Sequence, residues 1–143
     1  MLNQIIEGIT VQLQSAFGEN VTVYSEENQQ ELLKPCFLIS LLRAAQKPFP
    51  GNRYHREYSM DIQYFPGEGQ APNHDMNQIA EKLLDVLEYV QTEAGQIRGT
   101  NMSCEKRAEG LHFLVNYDLY VRKERTREEA MGEFVIASGI KEE

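Results

Sequence analysis

The chain has 143 residues and carries 14 Lys and Arg residues against 22 Asp and Glu residues, so its formal net charge at pH 7 is −8. This length suits one compact domain, and 41% hydrophobic with 25% charged residues excludes wholesale disorder and a membrane protein. The acidic balance argues against a dedicated duplex-binding protein, because Lys and Arg supply most non-specific affinity for nucleic acid.

No apolar run approaches the ~20 residues that a spanning helix needs, and the amino terminus lacks the basic flank of a signal peptide. We therefore expect a soluble, cytoplasmic protein with no membrane partner. Cys36 and Cys104 are far apart in sequence and have no metal-ligand spacing, so they are interpreted as reduced packing residues, with a disulfide or reactive thiol as the alternative.

The amino-terminal residues 2–17 are predicted to form an amphipathic helix that ends at Gly18, because their apolar side chains recur at spacings of three and four. Residues 21–24 follow as a short strand, and residues 25–34 as a polar loop. The nearly continuous apolar run 36–42 indicates a strand buried on both faces. The apolar stripe of the amino-terminal helix consists of Leu2, Ile5, Ile6, Ile9, Leu13 and Phe17.

Residues 43–52 are predicted to be a long loop, because Pro48, Pro50 and Gly51 disfavour regular structure. Residues 53–65 then alternate between apolar and polar side chains, as in a half-buried strand. A break in the apolar set at Arg56 indicates that the first half of this strand projects beyond the core.

After a loop at residues 66–72, a second amphipathic helix is predicted from an apolar stripe that runs from Met76 to Val90. Two strands follow, at residues 97–107 and 111–123, joined by a hairpin at residues 108–110. Residues 124–143 form a charged and apolar tail, which is interpreted either as flexible or as docking on a neighbouring subunit.

The predicted element order is therefore α-β-β-β-α-β-β within a single domain, residues 1–123. Two amphipathic helices cannot bury their stripes against each other and also cover both sides of a sheet. The fold class that follows is α+β, with two helices packed on one face of a mixed, mainly antiparallel, about five-stranded sheet.

The sequence contains few residues in patterns that would indicate a catalytic or metal site. His55, His74 and His112 lack metal-ligand spacing, and the pairs Asp61 with Glu57 and Asp118 with His112 can equally be polar strand faces. No nucleophile motif is present, so the sequence predicts neither an enzyme nor a metal site or cofactor. A nucleotide-binding loop at Gly67 and Gly69 is an alternative, although its glycine motif is incomplete.

One group of residues is typical of a protein interface, because Arg and Tyr are enriched at such surfaces. It lies where the predicted loop at residues 43–52 enters the next strand, and its alternative interpretation is a solvated strand end. The candidate residues for a subunit or tube interface are Arg43, Lys47, Arg53, Tyr54, His55, Arg56 and Tyr58, together with Glu109 at the hairpin tip.

The sequence resembles the tail terminator proteins of long-tailed phages and prophages over residues 1 to about 122. The resemblance depends on the order and spacing of several short segments. They are Pro35-Cys36-Phe37-Leu38-Ile39-Ser40-Leu41-Leu42, Gly51-Asn52-Arg53-Tyr54 with Arg56-Glu57, Ile62-Gln63-Tyr64-Phe65-Pro66, Ala80-Glu81 to Leu87-Glu88-Tyr89, Arg98-Gly99-Thr100, and Leu111-His112-Phe113 with Val115-Asn116-Tyr117.

The resemblance implies a structural protein of the virion tail or neck that assembles in the host cytoplasm and needs no cofactor. Its expected partners are further copies of itself in a ring, typically sixfold, the major tail tube protein and a head-completion or connector protein. DNA would pass through the ring without specific binding. A small-molecule or nucleotide-binding α+β module and another head-tail adaptor are the alternatives.

A ring built from head-to-tail contacts needs two different patches on each subunit. The arginine- and tyrosine-rich segment is one candidate, and an acidic face at Glu26, Glu27 and Glu31 is the other. An acidic inner wall of such a ring would repel DNA and let it slide through, and the net charge of −8 fits this expectation.

Overall fold

A computed structural model describes residues 1–18, 21–25, 33–67, 72–123 and 140–141, with backbone alone for residues 72–75 and 140–141. Two helices and seven strands are assigned within these residues. In chain order they are α1 (Leu2–Phe17), β1 (Thr22–Ser25), β2 (Cys36–Phe49), β3 (Arg53–Phe65), α2 (Pro72–Val86), β4 (Tyr89–Thr92), β5 (Gly95–Arg107), β6 (Gly110–Lys123) and β7 (Ile140–Lys141).

The strands form one mixed sheet in the order β1-β2-β3-β6-β5-β4, and β7 pairs with β6 outside this path. β1 runs parallel to β2, and the other neighbouring pairs are antiparallel. The α+β class and the mainly antiparallel sheet agree with the sequence prediction, which had about five strands and lacked β4 and β7.

Both helices pack on the same face of the sheet and share one hydrophobic core. Ile5, Ile9 and Leu13 of α1 meet Leu83 of α2 and the inward side chains of the strands. The inward set on β3 and β6 alternates as the sequence predicts, and it comprises Tyr58, Met60, Ile62, Tyr64, Leu111, Phe113, Val115 and Tyr117. Lys82 joins the helices, because its Nζ donates to the Ala16 carbonyl at 2.8 Å.

The second helix ends four residues earlier than its apolar stripe indicates. α2 stops at Val86, and Val90 is buried as part of β4 instead. Leu87 and Val90 are three residues apart, which is a helical spacing. The apolar pattern therefore continues past the residue at which the backbone leaves the helical conformation. The antiparallel pairing of β4 with β5 decides the conformation there, since Tyr89 lies opposite Arg98.

The loop predicted at residues 43–52 is wrong, because β2 continues to Phe49 and only Pro50, Gly51 and Asn52 form the turn. Among the described residues, β1 pairs with β2 only as far as Ile39. Beyond that point β2 has no described neighbour on this side, and a proline is tolerated on such an edge. Gly51 and Asn52 have φ angles of 82° and 61°, the left-handed values that a tight hairpin requires.

Parts of three predicted segments lie outside the described residues. They are most of the loop at 25–34, the centre of the loop at 66–72, and the tail at 124–143 apart from residues 140 and 141. Those two residues pair with Arg122 and Lys123 at the end of β6 in the same chain. The predicted acidic face at Glu26, Glu27 and Glu31 also lies outside the described residues. Within the described ranges, no helix is long and apolar enough to cross a bilayer.

Candidate functional site: a projecting β-arm

Three strands continue past the core and form an arm, and β7 pairs with the last residues of β6 there. β6 pairs with β5 only as far as Tyr117 opposite Gly99, and Tyr117 also lies opposite Tyr58 as the outermost buried pair. Beyond this pair, β2, β3 and β6 remain hydrogen-bonded to one another up to Arg53 opposite Arg122. Residues 43–56 and 119–123 are called the arm below.

The turn at the tip of the arm is fixed by hydrogen bonds. The backbone N–H of Lys123 donates to the carbonyl of Asn52 at 3.0 Å, and Arg53 Nε donates to the carbonyl of Pro50 at 3.0 Å. Arg56 Nε donates to Gln46 Oε1 at 2.8 Å. These bonds orient the tip before any partner arrives, which lowers the entropy lost on binding.

Aromatic side chains cover one face of the arm. The ring of His55 stands 5.1 Å from that of Tyr120 and 6.4 Å from that of Phe49, measured between centroids. Tyr120 is 55% exposed. On the opposite face, Lys123 Nζ lies 4.0 Å from the centre of the Tyr54 ring, within the range of a cation–π contact.

A charged group lies at the base of the arm. His55 Nε2 is 3.6 Å from Asp118 Oδ2, and Arg43 Nη1 is 3.8 Å from Glu57 Oε1. Burial raises the pKa of Asp118, the nearby Glu57 carboxylate raises it further, and His55 partly opposes both effects. Asp118 Oδ1 is buried and has no hydrogen-bond partner among the residues that the structure describes.

The structure brings most of the predicted interface residues together. Arg43, Lys47, Arg53, Tyr54, His55 and Arg56 all lie on the arm. Tyr58 is only 7% exposed and packs in the core, so it supports the arm from beneath. Glu109 lies in the hairpin between β5 and β6, at the other end of β6 from the tip.

Sequence reasoning did not include Phe49, Tyr120 or Lys123 in the site. Tyr120 belongs to the polar face of the predicted β6 strand, where an exposed aromatic residue is a signal for an interface. Its position beside His55 depends on the register between β3 and β6, which the sequence does not reveal.

The histidine pairs also differ from those considered in the sequence. His112 does not pair with Asp118; its Nδ1 is 2.9 Å from Asp61 Oδ2, because cross-strand register brings these residues together. His112 Nε2 is 3.6 Å from Glu109 Oε2, and the His112 side chain is 7% exposed. No group of three or more potential metal ligands occurs within the described parts of the chain, and the side chain of His74 lies outside them.

Of the two glycines in the alternative nucleotide-binding loop, the structure describes Gly67. A Cβ on Gly67 would lie 3.2 Å from the Pro35 ring, so this glycine is in close contact with the chain itself. Gly69 lies outside the described residues. The thiols of Cys36 and Cys104 are free, and burial raises the pKa of both.

Comparison with known proteins decides between these possibilities. A family model described as phage tail terminator protein matches residues 4–129, which is most of the chain. The chain belongs to the phage tail terminator family. It is therefore a structural component of a phage tail.

The other comparisons add little to this assignment. No curated protein sequence matches the chain. One solved structure aligns with 89% of this chain and 99% of its own length, at a TM-score of 0.48 and 12% sequence identity. A likeness at that level supports no conclusion about this tail terminator family member.

Proposed function

We propose that this protein assembles as a ring on the end of the tail tube, stops tube polymerisation and presents the surface to which the head-completion protein joins. The ring consists of copies of this chain, typically six in all, and DNA passes through it without being gripped. Arg43, Lys47, Arg53, Tyr54, His55 and Arg56 act in this function by carrying the arm's contacts.

Two features support this proposal. The chain belongs to the phage tail terminator family, and it carries an exposed arm that projects from its core. A monomer has no structural need for three strands that leave its core and carry exposed aromatic and basic side chains. Arg and Tyr provide large contact areas with directional hydrogen bonds, which suits a binding surface. The net charge of −8 disfavours a tight grip on DNA, because few phosphates would be neutralised.

The arm can be tested by reversing two of its charges. The double variant Arg53→Glu with Arg56→Glu should remain folded by circular dichroism but fail to form rings in analytical ultracentrifugation. It should also fail to limit the length of tail tubes assembled with the tube protein, as measured by electron microscopy.

A matched control places the same charge change at the other end of the sheet. Lys106→Glu with Arg107→Glu alters two basic residues next to the β5–β6 hairpin. We expect this control to assemble. Normal rings from the arm variant, or equal loss in both variants, would remove the arm from the assembly contact.

A further inference from the structure

The arm is strongly basic within an acidic chain. Residues 43–56 and 119–123 contain six of the chain's 14 Lys and Arg residues and none of its 22 Asp and Glu residues. The basic members are Arg43, Lys47, Arg53, Arg56, Arg122 and Lys123. Such a separation of charge within one small domain means that the rest of the same chain offers the electrostatic complement of the arm.

A groove at the β4 edge of the sheet combines acidic and apolar surface. It lies between α1 and β4 and has a volume of about 410 Å³. Val11, which is 58% exposed, contributes an apolar wall, while the exposed residues Glu7 and Glu93 line the same groove. We call this the α1–β4 groove.

The α1 helix closes the edge of β4 beside the groove. Gln12 Nε2 donates to the Tyr89 carbonyl at 3.2 Å, and a Cβ on Gly8 would stand 2.9 Å from the Gln91 carbonyl oxygen. The backbone of β4 is therefore occupied by α1, and a partner cannot add a strand there. What the groove can accept is a small number of side chains, such as those at the tip of a hairpin.

The positions of the arm and the groove suit a head-to-tail contact. β2 of the arm and β4 of the groove are separated by β3, β6 and β5 in the sheet. A contact between two different patches on opposite sides of a subunit repeats from copy to copy, and it closes into a ring when the rotation permits. The basic tip also carries Phe49, an apolar side chain that can pack against Val11.

We propose that the arm tip of one copy, residues 47–53, docks in the α1–β4 groove of the next copy, with Lys47 and Arg53 facing Glu7 and Glu93. This rests on the proposed ring assembly and identifies the receiving surface within it. The occupant is a second copy of this chain, because the groove and the arm have opposite charge and three strands separate β4 of the groove from β2 of the arm.

The test uses two charge-reversed variants and their mixture. Variant one carries Lys47→Glu with Arg53→Glu, and variant two carries Glu7→Lys with Glu93→Lys. Each alone should assemble about tenfold more weakly or worse, because every interface then joins surfaces of like charge. An equimolar mixture should restore oligomers, because alternating copies again place opposite charges together.

The matched control for the groove is Glu81→Lys with Asp85→Lys, which changes two exposed acidic residues of α2 by the same charge. It should assemble as the unaltered chain does. Higher salt should weaken assembly of the unaltered chain, since exposed charges are screened. Sedimentation velocity measures the assembly of each variant and of the mixture, electron microscopy of tube length measures capping, and a gel-shift assay measures binding to duplex DNA. Circular dichroism checks that each variant is folded.

The outcomes separate the docking contact from ring formation itself. Normal rings from variant two, or a mixture that stays dissociated, would overturn the docking contact while leaving the ring intact as a proposal. An unaltered chain that stays monomeric at high concentration would overturn both proposals. If variant one forms rings but no longer caps tubes, the arm binds the tube. If it loses only binding to duplex DNA, the arm binds DNA. In either case the arm does not dock in the groove of a second copy.

Discussion

The hydroxyl of Tyr117 provides the sharpest test of the packing at the end of the core from which the arm projects. Tyr117 is fully buried, and its Oη donates to the Leu87 carbonyl at 2.7 Å, between β6 and the connection from α2 to β4. Gly99 packs against the same carbonyl, because a Cβ there would lie 3.1 Å from the Leu87 oxygen. A replacement water therefore has little room.

The substitution Tyr117→Phe removes this donor and leaves the ring in place. An unsatisfied buried acceptor costs about 1–3 kcal/mol, so we expect the free energy of unfolding to fall by about 2 kcal/mol. With a urea m value of about 2 kcal/mol per molar, the unfolding midpoint should drop by about 1 M. Burial raises the pKa of Tyr117, so its hydroxyl stays protonated and the loss should not change between about pH 6 and pH 9.

Tyr120→Phe is the matched control, because Tyr120 lies on the same strand and is 55% exposed. We expect its unfolding midpoint to stay within about 0.25 M of the unaltered chain, as surface substitutions usually change stability little. An equally small change for Tyr117→Phe would refute the reasoning, since the Leu87 carbonyl would then have another donor or the bond would contribute nothing.

The remaining predictions concern ionisable groups. The raised pKa of Asp118 means that the folded protein holds this proton more tightly than the unfolded chain does, so ionised Asp118 lowers stability above its folded pKa. Asp118→Asn should therefore raise the unfolding midpoint at pH 7, and the gain should disappear below the ordinary value of 3.8; an unchanged gain at low pH would exclude the charge as its cause. The Cys36 thiol is fully buried with a raised pKa, so a thiol reagent should modify it only after unfolding. Rapid modification in the native protein, measured by mass spectrometry, would contradict its buried position.

The structure also changes how the acidity of this chain is interpreted. A net charge of −8 spread evenly would make copies of the chain repel one another. Concentrating basic residues on the arm instead gives each copy an attractive patch for an acidic neighbour. The net charge of the whole chain therefore does not describe the charge of the arm, which contains basic residues and no acidic ones.

The sequence by itself determined the two helices and the alternating strands, and for α1, β3 and β6 also the face that each one buries. The run 36–42 was predicted to be buried on both faces, but Leu42 in β2 is 58% exposed. The stripe through Ile5, Ile9 and Leu13 and the alternation through Phe113, Val115 and Tyr117 reveal burial directly, because helices and strands repeat with different periods. The colinear motifs also pointed to the family that the profile over residues 4–129 established.

Only the tertiary structure decided the length of β2, the existence of β4 and the partners across the sheet. Pro48 and Pro50 favour a loop locally, yet β3 supplies hydrogen bonds to β2 as far as Phe49. The pairs His55 with Asp118 and His112 with Asp61 depend on register. Register is set by pairing between distant segments, and local sequence preferences do not contain that information.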